Sequence, residues 1–140
     1  MDVEVRFECS DINWNAVSET LKTVGMGYYS PDEHRRAFEA SHSTAFLFHE
    51  GQMVGFGRAI SDGVYQAAIY DCAVLPEYQG HGLGAKIATS LLDRISHCNV
   101  ILYATPGNEG FYEKYGFRRM KTGMARFQKD ASMRDRGFTE

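Results

Sequence analysis

Ala67-Ala68-Ile69-Tyr70-Asp71-Cys72-Ala73-Val74-Leu75-Pro76-Glu77-Tyr78-Gln79-Gly80-His81-Gly82-Leu83-Gly84 is the stretch on which the fold turns. Its first part, Ala67 to Leu75, is apolar enough for a strand buried on both faces. From Leu83 to about His97 the stripe Ile87, Leu91, Ile95, with Ala88 and Leu92, has the spacing of one helical face. Between strand and helix lie three glycines in five residues, which allow the backbone to approach a bulky anion without Cβ clashes. Several N–H groups then meet at a helix N-terminus, where the dipole favours negative charge. The physical reading is a main-chain cradle for phosphate or pyrophosphate; the plain alternative is a turn that lets helix and strand pack closely.

Working outward, Val3 to Phe7 alternates apolar and charged residues like a half-exposed strand. Asn13 caps a helix with the stripe Trp14, Val17, Leu21 and Val24, stopped by Gly25 and Gly27. Ser30-Pro31-Asp32-Glu33 is a capping box that opens a second helix through about Ala40. Thr44 to His49 and Met53 to Ile60 flank the turn Glu50-Gly51-Gln52 as a hairpin-like pair. Asp62-Gly63 marks the next turn. Beyond the glycine loop and its helix, Val100 to Ala104 reads as a short buried strand, followed by a helix from about Asn108 to Gly116. Phe117 to Met120, Lys121-Thr122-Gly123 and Met124 to Gln128 suggest a last hairpin. Ala131 to Glu140 has no apolar period and reads as a loose tail. The expected order is βααβββαβαββ, a mixed α/β sheet of about seven strands with helices on its faces.

Composition bounds the function. At 140 residues, 44% apolar and 24% charged, the chain is one domain's worth of globular protein. No stretch approaches a membrane span, and the first residues lack the basic-then-apolar order of a secretory signal. A formal charge of −3 argues against nucleic acid and anionic membranes as partners. Cys9, Cys72 and Cys98 are too far apart for a zinc cage and odd in number for a disulfide framework. The five histidines, 34, 42, 49, 81 and 97, show no metal-ligand spacing. The expectation is a cytoplasmic protein of a reducing compartment, without a metal.

Gly80-x-Gly82-x-x-Ala85 satisfies the dinucleotide fingerprint, but the next strand carries no carboxylate to hold a ribose. A mononucleotide P-loop fails as well, because no Gly-Lys-Ser/Thr follows. Asn108-Glu109-Gly110-Phe111-Tyr112-Glu113-Lys114-Tyr115-Gly116-Phe117 is a second distinctive segment, in which Tyr112 is offset from the apolar set Phe111, Tyr115 and Phe117. Tyr112 there either points into a cleft or simply packs.

Leu75 to Gly84 resembles the Q/R-x-x-G-x-G/A signature of the GCN5-related N-acetyltransferases, the GNAT superfamily, and Asn108 to Phe117 resembles its N-x-x-F-Y-x-x-x-G-F segment. The likeness spans Val3 to Gln128, so the domain is drawn as 1–128, with 129–140 as a charged tail. It implies the acyl-CoA N-acyltransferase fold and acetyl transfer from acetyl-CoA, as co-substrate, to a primary amine. By that likeness Gln79, Gly80, His81, Gly82, Leu83 and Gly84 hold the pyrophosphate. Cys72, Ala73 and Val74, on a strand splayed from its neighbour, take the pantetheine arm, with the N–H near Val74 polarising the thioester carbonyl. Asn108 bonds the pantetheine and Tyr112 is the general acid; a phenol with an ordinary pKa of ~10 can protonate a departing thiolate while staying un-ionised at neutral pH.

The general base is not evident. By period two, the face shared with Val74 and Cys72 also holds Tyr70 and Ala68, neither of them a good base, while Asp71 faces the other way unless a bulge intervenes. Glu50, His49, Glu109, His81 or ordered water remain, as does attack without a side-chain base. Cys72 is either a covalent nucleophile or, in an apolar strand, an inert thiol. Tyr28 and Tyr29 sit where relatives carry a lid over the acceptor, and with Tyr70 they suit a small amine. A lysine or protein N-terminus as acceptor, and a non-catalytic acyl-CoA sensor of the same fold, are the rival readings. A homodimer through the last hairpin is left open by its exposed edge.

Overall fold

The computed structural model describes residues 1–140. The chain divides into two compact units, Met1–Leu102 and Tyr103–Glu140. The first holds β1 (Glu4–Arg6), α1 (Trp14–Thr23), α2 (Pro31–Glu39), β2 (Ser43–His49), β3 (Gln52–Ser61), β4 (Gln66–Val74), a 3₁₀ turn at Pro76–Tyr78, α3 (Leu83–Arg94) and β5 (Asn99–Ile101). Its sheet runs in the order β1-β2-β3-β4-β5, antiparallel except for the parallel β4–β5 pair.

The helices form where the sequence caps them. Asn13 accepts the Ala16 N–H at 3.1 Å to start α1. Ser30 and Glu33 bond reciprocally in a complete capping box, with Pro31 as the first residue of α2. Residues 43–48 of β2 are all buried, as a strand covered on both faces must be. On one face Phe46, Phe48, Phe56 and Ala73 pack with Val17 and Leu21 of α1 and Phe38 of α2. The opposite face takes α3. A Cβ on Gly57 would lie 2.7 Å from both the Cys72 Sγ and the Ile87 Cγ2, so the glycine is what lets α3 sit this close to the sheet. Gly57→Ala is therefore expected to cost about 2 kcal/mol, by overpacking. The double variant Gly57→Ala/Cys72→Ala should lose less than the sum of the singles, which thermal unfolding of the three proteins checks.

The second unit corrects the expected strand count. It contains α4 (Glu109–Glu113) and α5 (Asp130–Asp135), and residues 117–128 form no strand, so the sheet has five strands rather than about seven. The apolar residues of that segment are committed elsewhere or left in water. The Phe127 ring meets Tyr103 and Phe138 at centroid distances of 5.3 and 6.4 Å, and Met124 is 96% exposed. Without a face to bury, a hairpin has nothing to hold it, and the edge invoked for a hairpin-mediated dimer is absent. α5 lies in the segment read as a loose tail. Gly137, at φ +89°, closes it, and the Phe138 N–H bonds the Met133 carbonyl at 2.9 Å. β5 is also shorter than Val100 to Ala104, ending at Ile101.

Candidate active site

β4 carries the geometry that matters. It pairs with β5 only through Gln66, Ala67 and Ala68, and beyond Ala68 it leaves that neighbour. On its other side it stays with β3 as far as Val74, opposite Gly55. The Leu75 N–H bonds the Val54 carbonyl at 2.9 Å. In an antiparallel ladder such bonded pairs alternate with non-bonded ones. Val74 therefore directs its own N–H and C=O away from β3, to the side that β5 has vacated. The Gln79 side-chain amide donates to the Val74 carbonyl at 3.1 Å, satisfying the acceptor and leaving the N–H on the open side.

A bulge interrupts the β3–β4 ladder. Phe56 faces Ala73 and Arg58 faces Tyr70, so Asp71 and Cys72 together oppose Gly57. Asp71 adopts the left-handed conformation, φ +57°, which an aspartate tolerates better than most residues. The extra residue changes the alternation. Cys72 stays on the α3 face against Gly57, but Tyr70 moves across, where the Arg58 guanidinium lies 5.5 Å from its ring and 5.7 Å from that of Phe38. The period-two reading that put Tyr70 and Ala68 on the face of Cys72 and Val74 is thus reversed by the bulge. Asp71 joins Tyr70's new face, accepting from the Arg58 Nε at 2.7 Å, with both side chains largely buried. Burial pushes the Cys72 thiol up to about 12, the state of an inert cysteine rather than a nucleophile.

The glycine loop follows at the end of β4. Gly80 and Gly82 have φ of +84° and +76°, and a Cβ at either would meet nothing within 4 Å. Their requirement is conformational, and the space beside them is open. Gly82 is the N-cap of α3, with no side-chain cap, so the helix begins with its amides unclaimed by a capping side chain. Gly80, His81 and Gly82 are exposed, Gly84 is half-buried, and Leu83, the first residue of α3, is buried. A pyrophosphate fits such a set of donors.

In the second unit, Gly116 at φ +87° ends α4 in a Schellman motif, its N–H on the Glu113 carbonyl and the Phe117 N–H on the Tyr112 carbonyl. The hydrophobic contact that belongs to this motif is Phe117 against Tyr112, ring centroids 5.9 Å apart. The Gly-Phe pair thereby fixes the ring of a half-buried Tyr112. Asn108 is the N-cap of α4 but makes no capping bond with its side chain.

The base candidates separate. The Glu109 carboxylate accepts the Gly107 N–H at 3.1 Å, and hydrogen bonds from its own N–H and from Gly107 hold its carboxyl below the usual carboxylate range. That makes it a poor proton acceptor. His49 lies at the β2–β3 turn with Nδ1 2.8 Å from the Asp2 carbonyl, beside an exposed Glu50. His81 is exposed in the loop. Tyr28 and Tyr29, between α1 and α2, are 49% and 64% exposed. Two features went unread in the sequence, the Arg58–Asp71 pair and a buried His34. The available signals were a lone acid inside an apolar strand and a histidine four residues before Phe38 on the buried face of α2.

The model of the acetyltransferase (GNAT) domain family matches residues 12–130. The chain belongs to the GNAT family. Among its GNAT relatives, the serotonin N-acetyltransferase 2, chloroplastic, of Oryza sativa subsp. japonica is 33% identical over 122 residues, covering 81% of this chain and 60% of that protein. The histone acetyltransferase TAP1 of Glycine max is 36% identical over 122 residues, covering 83% of this chain and 51% of that one. The chain thus spans only about half to three-fifths of the length of these curated relatives. A solved Staphylococcus aureus structure superposes with a TM-score of 0.82 at 23% identity, over 91% of this chain and 99% of that one, which establishes the GNAT fold. No group of metal-binding side chains accompanies it.

Proposed function

We propose that the chain transfers an acetyl group from acetyl-CoA to a primary amine by direct attack within a ternary complex. The amine nitrogen bonds to the thioester carbonyl carbon, the Val74 N–H stabilises the oxyanion, and the carbon–sulfur bond breaks. Tyr112 gives its proton to the departing thiolate, and the proton lost by the amine passes to solvent. The pyrophosphate rests on residues 79–84, the pantetheine arm along Cys72, Ala73 and Val74, and Asn108 bonds that arm. The observation that carries this reading is the direction of the Val74 N–H, on the side of β4 that β5 has left, with the open glycine loop next in the chain.

The acceptor we propose is a small amine on an aromatic or aliphatic body, supported by the exposed rings of Tyr28 and Tyr29 and by the name of the rice relative. The name of the soybean relative supports a lysine acceptor instead, and a panel of small amines beside lysine peptides separates the two. Three free cysteines support a reducing compartment such as the cytoplasm.

Thermal unfolding with acetyl-CoA, CoA or NAD tests the site. A ligand at about 100 times its Kd adds about 2.7 kcal/mol, a rise of roughly 5–10 °C for a domain of this size. Both CoA species should raise the midpoint and NAD should not. Stabilisation by CoA without turnover of any amine would favour a non-catalytic acyl-CoA sensor, and a rise with NAD alone would overturn the reading.

A further inference from the structure

The segment between α1 and α2 is held at one residue from both helices. The Ser18 hydroxyl of α1 donates to the Tyr29 carbonyl at 2.6 Å. From α2, the His34 Nε2 accepts the Tyr29 N–H at 2.9 Å. The Tyr29 ring stands edge-on to the His34 ring, centroids 5.8 Å apart. The backbone of Tyr29 is thus pinned while its ring remains exposed. His34 is 3% exposed, and it can accept that N–H only while Nε2 is unprotonated, with its single ring proton on Nδ1.

We infer that neutral His34 is a positioning residue for the acceptor amine, fixing the Tyr28–Tyr29 segment, and that protonation of His34 releases it. A proton on Nε2 sets two donors against each other, and the Tyr29 N–H loses its acceptor. The inference rests on the reading that Tyr28 and Tyr29 meet the acceptor. The charged groups around His34 pull in opposite directions. Asp71 of β4 and Glu33 of α2 favour the imidazolium, whereas Arg58 of β3 opposes it. From α1 come the neutral Ser18 hydroxyl, on the Tyr29 carbonyl, and Lys22, whose ammonium lies 5.7 Å from the Tyr28 ring within the segment itself. Burial is the largest influence and holds His34 below the ordinary histidine range. The segment therefore stays closed at neutral pH and opens as the pH falls beneath that range.

Two variants separate this role from simple packing. His34→Gln keeps an acceptor near the Nε2 position but does not titrate, and His34→Phe keeps an aromatic ring without the acceptor. Amine and acetyl-CoA KM and kcat are measured for all three proteins between about pH 5 and 8. In wild type, the amine KM should rise up to about tenfold per pH unit once His34 protonates, because the competent fraction falls by that factor. The acetyl-CoA KM should stay flat. His34→Gln should lose this acid limb while matching wild type at neutral pH, and the ratio of the two proteins at each pH cancels the titration of the amine itself. His34→Phe should raise the amine KM about tenfold at every pH with kcat little changed. An acid limb retained in His34→Gln, or a wild-type amine KM in His34→Phe, overturns the inference and leaves acetyl transfer standing. If wild type acetylates no amine, the catalytic reading fails, and hydrogen exchange of the Tyr29 amide in the protein alone decides the clamp. Protection lost on acidification in wild type but kept in His34→Gln supports it; equal loss in both overturns it.

Discussion

Tyr112→Phe is expected to lower kcat by about 100- to 10,000-fold, the range for a lost general acid. The substitution leaves the ring contacts of the fold in place. Phenylalanine retains the ring that meets Phe117 at 5.9 Å and Phe111 at 5.0 Å, so the Schellman closure of α4 keeps its hydrophobic contact. Only the hydroxyl is removed. The acetyl-CoA KM should stay close to wild type while turnover collapses, which is the pattern of an interaction made in the transition state. The measurement is kcat over about pH 6–9, a window in which an ordinary phenol keeps its proton. Unchanged kcat on every accepted amine would take the acid role away from Tyr112. Equal loss of stability and turnover would make it a packing residue.

Much of the fold was legible because local chemistry and burial agreed. The capping box at Ser30–Glu33, the stripe of α3 and the glycines of the loop each have a local cause, and each formed where that cause lies. What failed was the inference from local pattern to pairing. Residues 117–128 have the turn chemistry of a hairpin, but Phe117 closes α4 and Phe127 joins Tyr103 and Phe138, so no apolar face remains to be buried. α5 was missed for the converse reason, since its hold comes from Gly137 and Phe138 just past its end rather than from a stripe along it. In the candidate site, the main-chain groups were legible as a loop and a strand. The orientation of the β4 side chains was not, because strict alternation carries no information about where an extra residue is inserted.

That extra residue is the subject of the second large effect, a loss of about 3–4 kcal/mol expected for Asp71→Val. Two costs combine in it. Valine is β-branched and fits poorly at φ +57°, and it leaves the Arg58 guanidinium, whose side chain is only 16% exposed, without its carboxylate. Arg58 would keep the Ser41 hydroxyl at 3.3 Å and the faces of Phe38 and Tyr70, which do not neutralise a charge. Asp71→Asn should cost only about 1 kcal/mol, because asparagine tolerates the left-handed region and can still accept from Arg58. Arg58→Met should cost about 2–3 kcal/mol alone, below the fully buried range because part of the Asp71 carboxylate still meets water. Combined with Asp71→Asn it should lose less than the sum, since no unpaired charge remains. Denaturant unfolding of the set reads these values. The consequence for the site is larger than the energy. If valine drives β4 to expel the bulge, every residue on one side of it changes face relative to the other. Cys72, Ala73 and Val74 then cannot keep their present register with β3 while Tyr70 keeps its place beside Arg58. The acetyl-CoA KM of Asp71→Val should therefore rise and that of Asp71→Asn should not. Equal stability in the two variants would mean that the left-handed conformation at residue 71 is held by neither the pair nor the residue type, and the bulge would then have to be imposed by Gly57 and α3 from the opposite face.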